Sequence, residues 1–228
     1  EIEAMKGVRQ PANYHPEGDV FVHTALVMEK LAENRQGGEM PEALALGALL
    51  HDVGKPPTFS DDGERIRFSE HQRIGEAMTH QIGRRLRLPL KTIDQAASLV
   101  GQHMRFMDAA KMKRSTLRRF LGQADFDWHL ELHRADCLGS HGQLDNYDFC
   151  IEQRKELEAA AGGEAILPAP LVNGGDLIAM GMRPGIELGA VLKEIREMQL
   201  EGELGSREAA LEWARRKLEG CAGGRGEI

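Results

Sequence analysis

Cysteine is scarce in this 228-residue chain, and its three copies, Cys137, Cys150 and Cys221, form no C-x-x-C pair. An odd, dispersed set builds neither a disulfide framework nor a structural zinc knuckle, so the thiols read as reduced. No uninterrupted apolar stretch reaches the roughly 18 residues of a membrane span, and no secretion-signal pattern opens the chain. These absences point to a soluble cytoplasmic protein. No segment keeps the alternation of a strand. The formal net charge of −7 excludes a protein that coats nucleic acid by electrostatics alone. Glu1, not Met, stands first, so the chain reads as a piece of something longer. At 41% hydrophobic it can bury one core of good size and a smaller appendage.

What is present reads as helix nearly throughout. Asp19 caps a helix carrying Val20, Val22, Ala25, Leu26, Met28 and Leu31, closed by Gly37-Gly38. Pro41 suits the first turn of the next helix, whose run Ala43 to Leu50 is apolar on every face and therefore buried on most of them. Gly54, Lys55, Pro56 and Pro57 stop it. Residues 58–68 read as a loop around an Asp61-Asp62-Gly63 turn. Ser69 with Gln72 forms a capping box that opens a helix to about Leu88, before Pro89. Further helices are expected near Leu90 to Met104, Ser115 to Leu121, Phe126 to Ser140 and Leu144 to Ala160. Met104, Met107 and Met112 read as core fillers. The composition then turns small and Gly-rich, and Pro168, Pro170 and an Asn173-Gly174-Gly175 turn place a boundary near 160 to 175. Helices near Ile186 to Leu200 and Arg207 to Leu218 follow, with a frayed tail from Gly220. The expected fold is all-α: a helical bundle over residues 1–160 and a small helical arm over 161–228.

His51 and Asp52 end the apolar run. A carboxylate there meets a poor solvent for charge, and left unpaired it would cost several kcal/mol, so it needs a cation. Lys55 is one candidate and a bound metal ion is the other. Of nine histidines, His23, His51, His71 and His103 stand where a metal centre could use them, and Asp136 supplies a second carboxylate. Neutral imidazoles with carboxylates select manganese, iron, cobalt, nickel or zinc over calcium, which prefers oxygen throughout. His129 and His133 share a helix face with Asp136 and read as surface or salt-bridging groups; His15 and His80 read as exposed or supporting.

Charge reverses locally. From Arg84 to Arg119 the basic residues Arg84, Arg85, Arg87, Lys91, Arg105, Lys111, Lys113, Arg114, Arg118 and Arg119 are opposed only by Asp94 and Asp108. Such a segment draws a phosphate-bearing substrate; a solvated helix face with its counter-charges elsewhere in the fold reads equally well.

His23, then His51-Asp52-Val53-Gly54-Lys55, then Asp136 resembles the HD superfamily of metal-dependent phosphohydrolases. Gln10-Pro11, His15-Pro16-Glu17-Gly18-Asp19-Val20 and His23-Thr24 resemble the entrance to the HD domain of bacterial tRNA nucleotidyltransferases of the CCA-adding and poly(A) polymerase type. His133-Arg134-Ala135-Asp136-Cys137-Leu138 with Ser140-His141-Gly142 resembles the same proteins around their last ligand. Asn173-Gly174-Gly175-Asp176-Leu177, Gly181, Arg183-Pro184-Gly185 and Gln199-Leu200-Glu201-Gly202-Glu203 resemble their RNA-facing arm. Those enzymes carry a transferase head with a Gly-Ser turn and a D-x-D pair on a sheet. Asp125-Phe126-Asp127 has no strand before it and reads as a helix cap, so this chain is not expected to add nucleotides by itself.

The resemblance implies one or two divalent ions, with magnesium also possible. His23, His51 and Asp136 would form one site, His71 and His103 the second, with Asp52 bridging. Bound ions would activate water and hold a phosphate oxygen. Lys55 would neutralise the phosphate as charge builds, unless it is simply the salt-bridge partner of Asp52, and Arg105 beside His103 would face the same phosphate. The implied substrates are 2′,3′-cyclic phosphates, 2′-nucleotides and RNA 3′ ends, tRNA included. Three functions follow: a metal-dependent phosphohydrolase, the HD and RNA-binding part of a tRNA nucleotidyltransferase, or a non-catalytic RNA-docking module with a structural metal.

Overall fold

The computed structural model describes residues 1–35 and 38–223, without the side chains of 220–223. Gly37 of the expected helix stop, the Cys221 thiol and residues 224–228 of the expected frayed tail thus lie outside what is described, while residues 220–223 of that tail continue the last helix rather than fray. The chain divides into two compact units that interleave in sequence: residues 1–111 with 124–153, and 112–123 with 154–228. Composition placed a boundary near 160; residues 112–123 group with the second unit.

The first unit is a helical bundle. Its helices are α1 (Val20–Arg35), α2 (Glu42–Leu50), α3 (Lys55–Thr58), α4 (His71–Arg85) and α5 (Leu90–Gln102). A 3-10 segment follows over His103–Lys111, and α7 (Phe126–Leu138) closes the bundle after α6 (Arg114–Leu121), which belongs to the second unit. Helix α8 (Asp145–Ala161) runs across the division at 153. Helix α5 packs on α2 and α4, and α1 packs on α2 and α7. Val27, Leu31, Leu44, Ala48, Leu99, Leu132 and Ala135 form one core cluster; Leu50, Val53, Ile82 and Val100 form another. Burial of each large aliphatic side chain contributes about 1.5–3 kcal/mol. The all-round apolar run of α2 is buried as expected, with Leu49 as its exposed position. Leu50 and Val53 are both buried, which anchors the turn carrying His51 and Asp52 on either side.

Two local expectations need correction and one needs an addition. Residues 58–68 are not all loop: Phe59–Asp61 pairs antiparallel with Ile66–Phe68, Phe59 opposite Phe68. Three-residue strands are too short to display a period, although the Asp61-Asp62-Gly63 turn between them is present, with Gly63 N–H donating to Asp61 Oδ1 at 2.9 Å. The Ser69/Gln72 capping box does not form; Glu70 takes the N-cap position at φ 57° without a side-chain cap bond. The apolar helix does stop ahead of residues 54–57, at Leu50, but Lys55–Thr58 then forms the short α3, with Pro56 and Pro57 in its first turn, where a missing N–H costs nothing.

Gly54 has another reason to be glycine. A Cβ there would lie 2.1 Å from the His71 carbonyl oxygen and 2.7 Å from Gly75 N. Its bareness lets the turn after His51-Asp52 touch the first turn of α4, which brings His71 to Asp52.

In the second unit α10 (Ile186–Glu201) packs against α6, α9 (Gly174–Ala179) and α11 (Arg207–Gly223). Val172, Leu177, Val191, Ile195, Leu204, Ala210 and Ala214 form its core. The Asn173-Gly174-Gly175 triplet begins a helix: Asn173 Oδ1 accepts from Asp176 N–H while Asp176 Oδ2 accepts from Asn173 N–H. Part of the basic segment finds counter-charge within its own unit, Arg85 with Glu1 at 2.7 Å and Arg119 with Glu197 at 2.6 Å. No described helix is long and apolar enough to cross a membrane.

Candidate metal centre

Five elements of the first unit converge on Asp52. Helix α1 contributes His23, the turn after α2 contributes His51 and Asp52, α4 begins with His71, the 3-10 segment begins with His103, and α7 contributes Asp136. All but Asp136 are at least nine-tenths buried. Adjacent helix residues diverge by about 100°, but His51 and Asp52 stand in a turn and both reach inward.

The ligand atoms fall into two groups, His23 with His51 and Asp136, and Asp52 with His71 and His103; within each, the atoms lie within 4.8 Å of one another. Asp52 faces both. Its Oδ1 is 3.5 Å from His71 Nε2 and 3.8 Å from His103 Nε2, while its Oδ2 is 3.3 Å from His51 Nε2 and 3.7 Å from His23 Nε2. Asp136 Oδ1 is 3.1 Å from His23 Nε2.

The tautomers show what these groups suit. His51, His71 and His103 each direct Nδ1 at the carbonyl three residues back, Ala48 at 2.8 Å, Phe68 at 3.0 Å and Val100 at 2.7 Å. A carbonyl only accepts, so each Nδ1 carries the proton and each Nε2 presents a lone pair. His71 and His103 Nε2 stand 3.2 Å apart. Burial pushes both pKa values down, His103 to about 3, so neither ring is charged at neutral pH. Two lone pairs at that distance repel unless they share a cation. In the other group, His23 and His51 Nε2 are also 3.2 Å apart. There burial opposes charge on His23, but the carboxylates of Asp136 and Glu17 close to its two nitrogens outweigh it and raise the pKa to about 10, so a proton supplies the positive charge. The donor set therefore fits divalent transition ions.

Burial alone would raise both carboxylates. Lys55, His51 and His23 instead hold Asp52 well below the usual range, and His23 does the same for Asp136. Lys55 Nζ lies 2.7 Å from Asp52 Oδ2, bent off a hydrogen-bond line, and donates to Gln10 Oε1 at 2.6 Å. A cavity of about 370 Å³ opens onto Asp52, Lys55, His71, His103 and Asp136. Its outer wall includes Tyr14, Arg67, Phe68, Met104 and Met107.

Several readings change here. Met104 and Met107 are not core fillers; they are 40% and 51% exposed and line the cavity. Arg105 does not line it and donates to Gln102 Oε1 at 2.7 Å. His129 and His133 are buried rather than on the surface, both held near 4 by burial. His133 stacks on Phe106 with centroids 4.1 Å apart. Asp125 does not cap α7 with its side chain, which accepts from Gln95 Nε2 at 2.6 Å. Cys137 and Cys150 are buried free thiols, pushed up to about 12 by burial. Glu17 was overlooked: its Oε1 meets His15 Nδ1 at 2.9 Å and His23 Nδ1 at 2.7 Å.

The sequence pattern of the HD domain matches residues 20–132, which hold the four histidines and Asp52; Asp136 follows just beyond. The chain carries an HD domain. Around that domain the similarity extends to tRNA nucleotidyltransferases. An A-adding tRNA nucleotidyltransferase of Deinococcus radiodurans is 32% identical over 98% of this chain and 52% of its own length. A CC-adding tRNA nucleotidyltransferase of Thermus thermophilus is 34% identical over 75% of this chain and 39% of its own. A multifunctional CCA protein of Laribacter hongkongensis is 33% identical over 78% of this chain and 42% of its own. The chain thus spans about half the length of these relatives or less.

Proposed function

We propose that this chain is the HD and RNA-binding part of a protein of the tRNA nucleotidyltransferase type, and that its HD domain hydrolyses phosphate esters at RNA 3′ ends. The similarity to the Deinococcus protein over 98% of the chain supports the first half. The arrangement around Asp52, with one carboxylate oxygen toward each imidazole group, carries the second.

In this reading His23, His51 and Asp136 would hold one divalent ion and His71 and His103 another, with Asp52 available to both. When bound, such ions supply Lewis acidity that acidifies water toward neutral pH and polarises a phosphate oxygen. Manganese, cobalt, nickel, iron and zinc suit the donors, and magnesium is also to be assayed. The protein orients the ligands through the three Nδ1 bonds to backbone carbonyls, so little reorganisation accompanies binding. Lys55 lies on the cavity wall beside Asp52 and can offset charge that builds on a phosphate. The rings and thioethers outside it, exposed Tyr14, Met104 and Met107 and half-buried Phe68, offer a wall for a base. A 2′,3′-cyclic phosphate or 2′-phosphate at a terminal nucleotide matches a site with charge inside and a mainly apolar rim that also carries Arg67.

The test is hydrolysis of a 2′,3′-cyclic nucleotide and of a generic phosphodiester by the whole chain with Mn, Co, Ni and Mg, beside His51→Ala and Asp52→Ala. Loss of activity in both variants is expected. Equal activity in the variants defeats the catalytic reading and leaves a non-catalytic RNA-docking module, and gel-shift binding to tRNA then decides whether the RNA-binding half stands.

A further inference from the structure

We propose that Glu17 is a positioning residue for the group His23, His51 and Asp136, holding His23 through Nδ1 and strengthening its Nε2 as a ligand. The proposal rests on the metal reading above.

Three of the four imidazoles are oriented by carbonyls of their own chain, at 2.7–3.0 Å, because each lies at the end of a helix or on its first residue, where the ring can fold back on the preceding backbone. His23 has no such position. It lies inside α1, where Asp19 O already accepts from the His23 backbone N–H at 3.0 Å and Val20 O accepts from Thr24 Oγ1 at 2.8 Å. Its Nδ1 needs an acceptor from elsewhere.

Glu17 supplies it. Gly18, at φ 134°, turns the chain immediately before α1 in a conformation that side-chain-bearing residues rarely adopt. Glu17 Oε1 then sits 2.7 Å from His23 Nδ1, and the same oxygen accepts from His15 Nδ1 at 2.9 Å. The Glu17 side chain is 7% exposed, and no Lys or Arg pairs with it among the described residues. Its other oxygen, Oε2, is buried and has no hydrogen-bond partner. A carboxylate buried without a cation is costly, and the groups that meet its charge here are the two imidazoles. A carboxylate behind a histidine ligand fixes the tautomer and raises the basicity of the far nitrogen, which for His23 is the atom facing His51 and Asp136. His15 lines the cavity, so it holds Glu17 from the substrate side.

The test is calorimetric titration of the metal-free whole chain with Mn²⁺ and Co²⁺, comparing wild type, Glu17→Gln, Glu17→Ala and His71→Ala. Wild type is expected to show two binding events. Glu17→Gln keeps an acceptor but loses the charge, and should weaken one event by about 10-fold; Glu17→Ala should weaken it by up to about 100-fold. The other event, absent in His71→Ala, should persist in both Glu17 variants and report that they are folded. Two unchanged events in Glu17→Ala overturn the proposal, as does equal loss of both, which marks a merely structural role. Failure of wild type to bind either ion overturns the metal reading and this proposal with it.

Discussion

His71 Nε2 and His103 Nε2 face each other at 3.2 Å, each ring fixed by an Nδ1–H to the carbonyl three residues earlier. A shared cation relieves two lone pairs so placed, and Asp52 Oδ1 at 3.5 Å and 3.8 Å completes their set. His71→Ala or His103→Ala should therefore lower tightly held manganese or cobalt from two ions per chain to one, while His23→Ala should remove the other. Asp52→Ala should remove both. Metal analysis after exhaustive dialysis reads these stoichiometries, and two ions retained by Asp52→Ala would show that the carboxylate is not shared.

The Gly54 contact carries its own prediction. Because the atoms facing a new Cβ are the His71 carbonyl and Gly75 N, both backbone, Gly54→Ala must push the start of α4 away. Stability should fall by about 1–3 kcal/mol, and the ion held by His71 should loosen with it. Gly189→Ala, inside α10 with nothing within 4 Å of its new Cβ, is the control and should gain about 0.5–1 kcal/mol. Urea unfolding of both variants checks the contrast.

The physics of single residues made much of this legible beforehand. An imidazole and a carboxylate closing an apolar helix announce a need for cations, and the fold meets it by bringing His23, His71, His103 and Asp136 to the same place. What escaped depends on partners distant in sequence. Gly54 reads from the sequence only as part of a helix stop, and its close contact stays hidden because the atom it must avoid belongs to His71. Met104 and Met107 looked like core because methionine in helical spacing usually is, whereas the cavity mouth leaves them exposed. Glu17 stands in a recognisable motif, but nothing in the sequence singles out its role, since its partner His23 lies across the start of α1.

On α7, beside the candidate metal centre but outside its ligand set, two buried histidines set an acid limit. Burial lowers His129 and His133 from the ordinary 6.5 to about 4, although Asp125 and Asp136 pull the other way. Unfolded, they take up protons below 6.5; folded, they stay neutral until about 4. The unfolded state binds more protons across that window, so stability falls as pH drops from 6.5 toward 4, on the order of 3 kcal/mol for His133 alone. His133→Phe keeps a ring stacked on Phe106 and removes the titration. Urea unfolding in EDTA across pH 4–7 should give the variant a shallower acid loss; an unchanged slope would place the proton uptake elsewhere.

Lys55 touches Asp52 Oδ2 at 2.7 Å, and its removal separates two roles. Lys55→Met leaves a buried carboxylate short of its cation, which costs about 3–5 kcal/mol in the metal-free protein. Bound divalent ions supply that charge, so the cost should shrink when manganese is added, and unfolding curves with manganese and with EDTA read the difference. Activity at saturating manganese then tells whether Lys55 also meets the phosphate. A residue that only balances Asp52 leaves kcat near the wild-type value once the ions are bound. A residue that also offsets charge on the phosphate lowers kcat by about 100-fold or more while the ions remain in place. Its position on the cavity wall favours the second outcome.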